Sequence, residues 1–406
     1  MESEISHLEI SGDETTETAD TRAGFKPTEP QSTAATPRNA SLDGLPSELK
    51  ASILHSVPSI PALQTLVRSS PLYHKVYLDE RKVILSAVLL RDIGPQVLPD
   101  ALAVHKASQI GFDGSGLRKD NVKSFISQYK AERGSSSPAT CDPLDIGTLE
   151  SLSRLQSVVT KIASDFCEAT LSVHPVTGER IQPHGDLSIN EKRRIYRALY
   201  RFELFRALFT KPRGIQIPPE SRRCFYSMDQ SLLFLSIFTA WEVEEVACVR
   251  DYIIRRHTEI LRESSSELSK LCPNKDLHDE YWQIQNTGYL MSLGLPFLCQ
   301  LLNASSAAQK ASILESNICC DRAFLTEAFL VDGPNAAWPW STNQKVDVLY
   351  FQEHKQPLRK WAYVMWDLGK LKDWRILDVD PEQHSGTRNR RSDGFRKLID
   401  GWNEVA

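Results

Sequence analysis

Over most of this chain apolar residues return every three or four positions, and strict alternation is rare. That pattern predicts helices and few strands. The first stripe is Leu49, Ile53, Leu54 and Val57. Leu45-Pro46 opens it, since proline is tolerated in a first helical turn, where its missing N–H would have no partner. Glu48 follows at the positive end of the helix dipole, and Pro58 stops the helix. A second short helix is expected from Ile60-Pro61, with Ser59 as cap and Leu63, Leu66 and Val67 on its inner side. Ser70-Pro71 restarts the chain, and a third helix should run through Tyr73, Val76 and Tyr77 to about Leu90. Short helices with narrow stripes bury little alone, so this stretch needs a partner or a second layer.

Two more helices, near Pro99 to Ala107 and Asn121 to Tyr129, flank the turn-rich GFDGSG at Gly111 to Gly116. Leu149, Leu152, Leu155, Val159, Ile162, Phe166 and Ala169 mark one long helix. Residues 172–187 form a loop. Ser188-Ile-Asn-Glu191 has the capping-box spacing, in which the glutamate reaches back to the cap amide. It opens a helix lined by Ile195, Leu199, Phe202, Phe205 and Phe209. A second box, Thr239-Ala-Trp-Glu242, precedes Val246, Val249, Ile253, His257 and Ile260. Further helices are expected at 276–303, with a kink at Leu293-Gly-Leu-Pro296, then at 305–316, 321–330, 357–371 and 394–402. No repeat of fixed period is visible. The predicted fold is mainly α: a small three-helix module, then a larger all-α domain. The expected divisions are a disordered acidic tail at 1–40, the module with its extension at 41–131, a linker at 132–147 and the domain at 148–406.

Leu45, Pro46, Glu48, Leu49, Ile53, Leu54, Val57, Leu63 and Leu66 together resemble the F-box pattern: Leu-Pro, a following Glu, an aliphatic stripe and a leucine pair. The likeness departs at Pro61-Ala62, where the family often has Asp, and at Tyr73, where it has Trp. The resemblance implies that Leu45, Pro46, Leu49, Ile53, Leu54, Leu63 and Leu66 bind the Skp-family linker of a cullin–RING ubiquitin ligase. A second resemblance, over Ser70 to Val104 and at the YVMWD of Tyr363 to Asp367, is to F-box-like proteins of filamentous fungi; no activity follows from it.

Composition narrows the classes. The chain has 406 residues, 41% hydrophobic, with 48 Lys and Arg against 52 Asp and Glu and a net charge of -4. That balance draws the whole protein neither to nucleic acid nor to an anionic membrane. The first 20 residues hold seven acids and no Lys or Arg, a composition too polar to offset ordering entropy. Eight cysteines lie scattered without CxxC spacing, Cys319 beside Cys320. With an acidic start in place of a signal peptide, they read as reduced thiols of cytosol or nucleus. The longest apolar run, Leu232 to Trp241, is about half a membrane span and reads as a buried helix.

Candidate chemistry is thin, and neither a catalytic residue nor a cofactor or metal site is expected. GFDGSG lacks the Lys-Ser/Thr of a phosphate loop. His174 and His184 lack metal-ligand spacing. His257 falls on the inner side of its helix and reads as a hydrogen-bonded core residue. Glu242, Glu244 and Glu245 sit in a first turn, where carboxylates complement the dipole. Arg193, Arg197 and Arg201 make a four-residue basic stripe beside Arg194; it reads either as a phosphate or acidic-peptide site or as a solvated face paired with acids. Thr387 to Lys397, with five basic residues and one acid, reads as a surface tail more than as a nuclear-import or nucleic-acid patch. Trp338, Trp340, Trp361, Tyr363 and Trp366 read as core more than as interface. The expected function is an F-box-like substrate receptor that performs no chemistry, binding the linker at one end and a protein substrate through its helical domain. The alternatives are a scaffold that keeps the fold without the linker contact, and an enzyme whose site forms only in three dimensions.

Overall fold

The computed structural model describes residues 42–110, 117–134, 140–141, 143–175, 177–180, 187–210, 230, 233–273, 280–317 and 356–378. The chain is mainly helical, and among the described residues the one β contact is an isolated bridge between Val173 and Arg180 in the expected loop. Residues from Leu45 onward form one compact unit, distinct from residues 1–44. The expected disordered tail at 1–40 lies outside the described residues, as do GFDGSG, His184, Trp338, Trp340, Cys319, Cys320, the helices expected at 321–330 and 394–402, and the basic tail.

Helix α1 (Ser47–Ser56) starts at Pro46 as expected. Ser59 caps α2 (Ile60–Ser69), its hydroxyl accepting the Ala62 amide at 3.3 Å. Ser70 caps α3 (Pro71–Asp79) through the Leu72 amide at 3.2 Å. The third helix does not run on to Leu90. It breaks at Glu80, and α4 (Arg81–Ile93) begins anew. Neither glycine nor proline marks the break. α3 packs on α1 and α2; α4 packs on those two as well and, in addition, on α7.

Helices α5 (Leu98–Ser108), α6 (Leu117–Arg133), α7 (Ile146–Leu171) and α8 (Ile189–Phe209) follow. α4 lies on α7, and α5 on α7 and α8, so helices on both sides of the expected 132–147 linker share one core. Both capping boxes form: the Ser188 amide donates to Glu191 at 3.1 Å, and the Thr239 amide to Glu242 at 3.0 Å. The second opens α9 (Ala240–Leu271), the longest described helix. Phe234, Leu235 and Phe238 just ahead of it are buried, but residues 236–239 turn, so the apolar run is not one helix.

The helix expected at 276–303 is two, α10 (Glu280–Ser292) and α11 (Leu295–Asn303). Gly294 between them has φ +87° and serves as the N-cap of α11. Glu203 accepts the Leu295 amide at 2.9 Å, giving the new helix its start. α12 (Ala307–Glu315) packs on α9. The helix expected at 357–371 is also interrupted: α13 (Gln356–Lys360) and α14 (Leu368–Asp373) flank a turn over Trp361 to Trp366, where Ala362 has φ 54°. Every side chain of that turn is buried, and Trp366 Nε1 donates to the Trp361 carbonyl at 2.7 Å. A turn can bury both tryptophans, which two residues five apart on a helix could do only between two layers.

Candidate functional site

The start of α1 presents accessible apolar surface. Pro46 is exposed, Leu49 is 51% exposed, and Leu45 and Ile53 are half-buried. Leu66 on α2 is also half-buried. Leu54 and Leu63 lie elsewhere: at 0% and 2% exposure they belong to the core and cannot touch a partner on the surface. The reason is geometric. Leu54 stands five positions from Leu49 on α1, and so points to the opposite side of the helix. Those two residues of the expected linker-binding set therefore support the face and do not form it.

Large exposed apolar side chains gather on the same helices. Among the described residues from Leu45 on, Leu49, Leu72, Leu78 and Val83 fall within α1, α3 and α4; the others, Ile146, Val173, Ile189, Leu271 and Leu368, are spread over the rest of the unit. Scattered single apolar residues need no explanation. The helical pattern did not point to Leu72, Leu78 or Val83.

Arg197 and Arg201 of the α8 stripe are paired with acids, as one of the two readings expected, but they turn inward and do not form a solvated face. Arg193 bonds Asn190 at 2.8 Å and stays near the surface. Arg197 makes a fork to Glu245, at 3.0 and 2.6 Å, and stacks 4.8 Å from the centre of the Trp241 ring. Arg201 is 1% exposed and pairs with Asp100 at 3.2 Å and Glu242 at 2.8 Å. Arg194, beside the stripe, ties the helix to Asp367 and to the Met365 carbonyl. The stripe is thus a ladder of internal ion pairs, and Arg197 and Arg201 have no free face for a phosphate or an acidic peptide.

The carboxylates of the first turn of α9 are the other half of that ladder. Glu244 takes a bidentate contact from Arg359 at 2.8 and 3.0 Å and accepts the Tyr363 hydroxyl at 3.2 Å. The dipole alone accounts for none of these pairings. Burial pushes the Glu242 carboxyl up, but Arg201, Arg133 and the Thr239 amide overcome it and hold it at about 2. Burial raises Glu245, since its carboxylate has left water and Arg197 only partly compensates. Each of the three acids is thus paired with an arginine.

His257 is a core residue, 1% exposed, with Nδ1 bonded to the Ile253 carbonyl at 2.9 Å and its ring stacked 6.3 Å from Phe297. Burial pulls it down to about 4 against the opposing pull of that carbonyl, so it is neutral near pH 7. His174 accepts the Thr177 amide at 3.1 Å inside its loop. Among the described residues, no group of three His, Cys, Asp or Glu could hold a metal ion. The described cysteines, Cys141, Cys167, Cys248, Cys272 and Cys299, are free thiols. A shallow cavity of about 530 Å³ between α7, α11 and α12, lined by Val158, Cys299, Gln300, Asn303 and Ile313 among others, contains no charged side chain. No described helix is long and apolar enough to cross a membrane. No family model, no curated protein and no solved structure matches the chain.

Proposed function

We propose that this chain is an F-box-like substrate receptor that docks on a Skp-family linker of a cullin–RING ubiquitin ligase through the start of α1, while its helical body holds a protein substrate. One observation carries the reading: Pro46 and Leu49 project outward at a Leu-Pro helix start while the rest of the stripe, Leu54 and Val57, anchors the helix to the core. A helix arranged in this way presents a short apolar edge without unfolding. Leu45, Ile53 and Leu66, half-buried around it, would complete the contact. The receptor performs no chemistry of its own. Its contribution is proximity, since holding a substrate beside the transferring enzyme turns a bimolecular encounter into an effectively unimolecular one.

The test uses the full chain and purified Skp-family linker, with cullin added in a second step. Wild type should capture both. Leu49→Asp should weaken capture more than about tenfold, as expected when a central apolar anchor gains a charge. Its denaturant midpoint should stay close to that of wild type, because half of the side chain is already in water. A wild-type chain that captures no linker overturns the reading and leaves the face to another protein partner, as in a scaffold.

A further inference from the structure

The turn between α1 and α2 is held from behind by the last residues of α4. Arg91 Nη1 donates to the carbonyls of His55 at 2.8 Å and Val57 at 2.7 Å, the end of α1. Beside it, Asp92 Oδ2 accepts the amide of Ile60, the first residue of α2, at 3.0 Å. Its Oδ1 accepts Lys192 Nζ at 3.1 Å, and Lys192 belongs to α8, 100 residues further along the chain. The Asp92 side chain has no exposed surface, whereas that of Lys192 is 38% exposed.

A buried carboxylate must be compensated, and one backbone N–H does not balance a full charge. The Lys192 ammonium supplies the opposite charge at 3.1 Å, and a carboxylate oxygen is a strong acceptor for the Ile60 amide. The first turn of α2 therefore depends on a cation from the helical body. Among the described residues, α2 has one other side-chain tie to that body, the neutral contact of Gln64 with Ser157 at 3.1 Å, a turn further along. Loss of the Lys192 charge would loosen the α1–α2 turn first and leave the end of α2 attached.

We infer that Lys192, acting through Asp92, is a positioning residue for the exposed face of α1, so that docking is conditional on the helical body. The geometry stands by itself; its consequence for docking rests on the function proposed above. Residues 42–110 alone would lack the ion pair that sets the turn.

The test compares full-length wild type, Lys192→Met, Lys192→Arg and the double variant Lys192→Met/Asp92→Asn by amide hydrogen exchange and by capture of purified Skp-family linker. In Lys192→Met, exchange over residues 57–63 should rise about tenfold, the factor set by one charge-assisted hydrogen bond. Linker capture should fall by a similar factor, with exchange in α7, α8 and α9 unchanged. Lys192→Arg should restore both. The double variant should recover most of the protection, because a neutral amide oxygen still accepts the Ile60 N–H and no charge is stranded. Unchanged exchange over 57–63 in Lys192→Met, an equal rise throughout the chain, or failure of Lys192→Arg to rescue each overturns the inference. Loosening of 57–63 with undiminished capture also overturns it while leaving the proposed function standing. If wild type captures no linker, the proposed function fails and exchange alone decides the positioning role.

Discussion

Replacing Arg201 with methionine should expose the energetics of the ion-pair ladder. Arg201 sits inside α8 with its guanidinium 4.4 Å from the Phe238 ring centre, paired to Asp100 and Glu242. Methionine keeps the length of the apolar stem and removes the charge. Asp100 is then left with the Tyr129 hydroxyl, while Glu242 keeps Arg133 at 2.7 Å and the Thr239 amide at 3.0 Å. Removing one partner of a buried pair costs about 3–5 kcal/mol, because the surviving charge is stranded. Arg201 Nη1 has no partner in the wild type, a cost already carried there, so the lower end is expected, about 3 kcal/mol. The pH dependence separates charge from packing. Glu242, at about 2 against an ordinary 4.5, has a depressed folded pKa. Its contribution is complete above the unfolded value and is lost as pH falls through the folded one. The gap, 4.5 less about 2, corresponds to about 3 kcal/mol at ~1.4 kcal/mol per unit. Near pH 3 Glu242, no longer held down by Arg201, can take up a proton in Arg201→Met, so the difference from wild type should shrink to less than about half. Urea midpoints near pH 7 and pH 3 measure this. An equal difference at both pH values would mean that Arg201 contributes packing alone, and the electrostatic reasoning would fail.

Trp366→Ala should cost about 3–5 kcal/mol, the range for emptying a large aromatic site, measured by denaturant midpoint; an unchanged midpoint with loss of a partner would make the turn a recognition surface. His257→Leu should flatten the acid limb of stability. His257 is held neutral at about 4 against an ordinary 6.5, so the unfolded chain binds a proton that the folded chain resists. Stability is complete above pH 6.5 and falls as pH drops toward 4, by about 3 kcal/mol in wild type and much less in the variant, read from midpoints across that window. Gly294→Ala should destabilise by more than about 1 kcal/mol, since φ +87° disfavours a side chain and the new Cβ would lie 2.7 Å from Glu203 Oε2, which caps α11; thermal melts check it, and a neutral result would show that the junction relaxes.

Local chemistry carried much of the description. Both capping boxes, the serine caps of α2 and α3, and the start of α1 at Leu45-Pro46 are legible because each needs only residues within one turn. The long helix α7 followed from periodicity alone, and so did the mainly α class. Periodicity says which face of a helix is apolar. It does not say where a helix stops when no glycine or proline marks the end, which is why α3 and α4 read as one. Nor does it say what lies opposite a charge. Arg197 and Arg201 have the spacing of a surface stripe, and only the folding of α5 and α9 against α8 brings Asp100, Glu242 and Glu245 to them and takes them out of water. The same holds at the docking face. The Leu-Pro stripe named the residues, but burial divided them, leaving Pro46 and Leu49 outside and Leu54 and Leu63 within. The support from Lys192 crosses 100 residues of chain and has no local signal. Short-range hydrogen bonding and side-chain period are written in neighbouring residues, whereas ion pairing and exposure depend on which distant helices pack together.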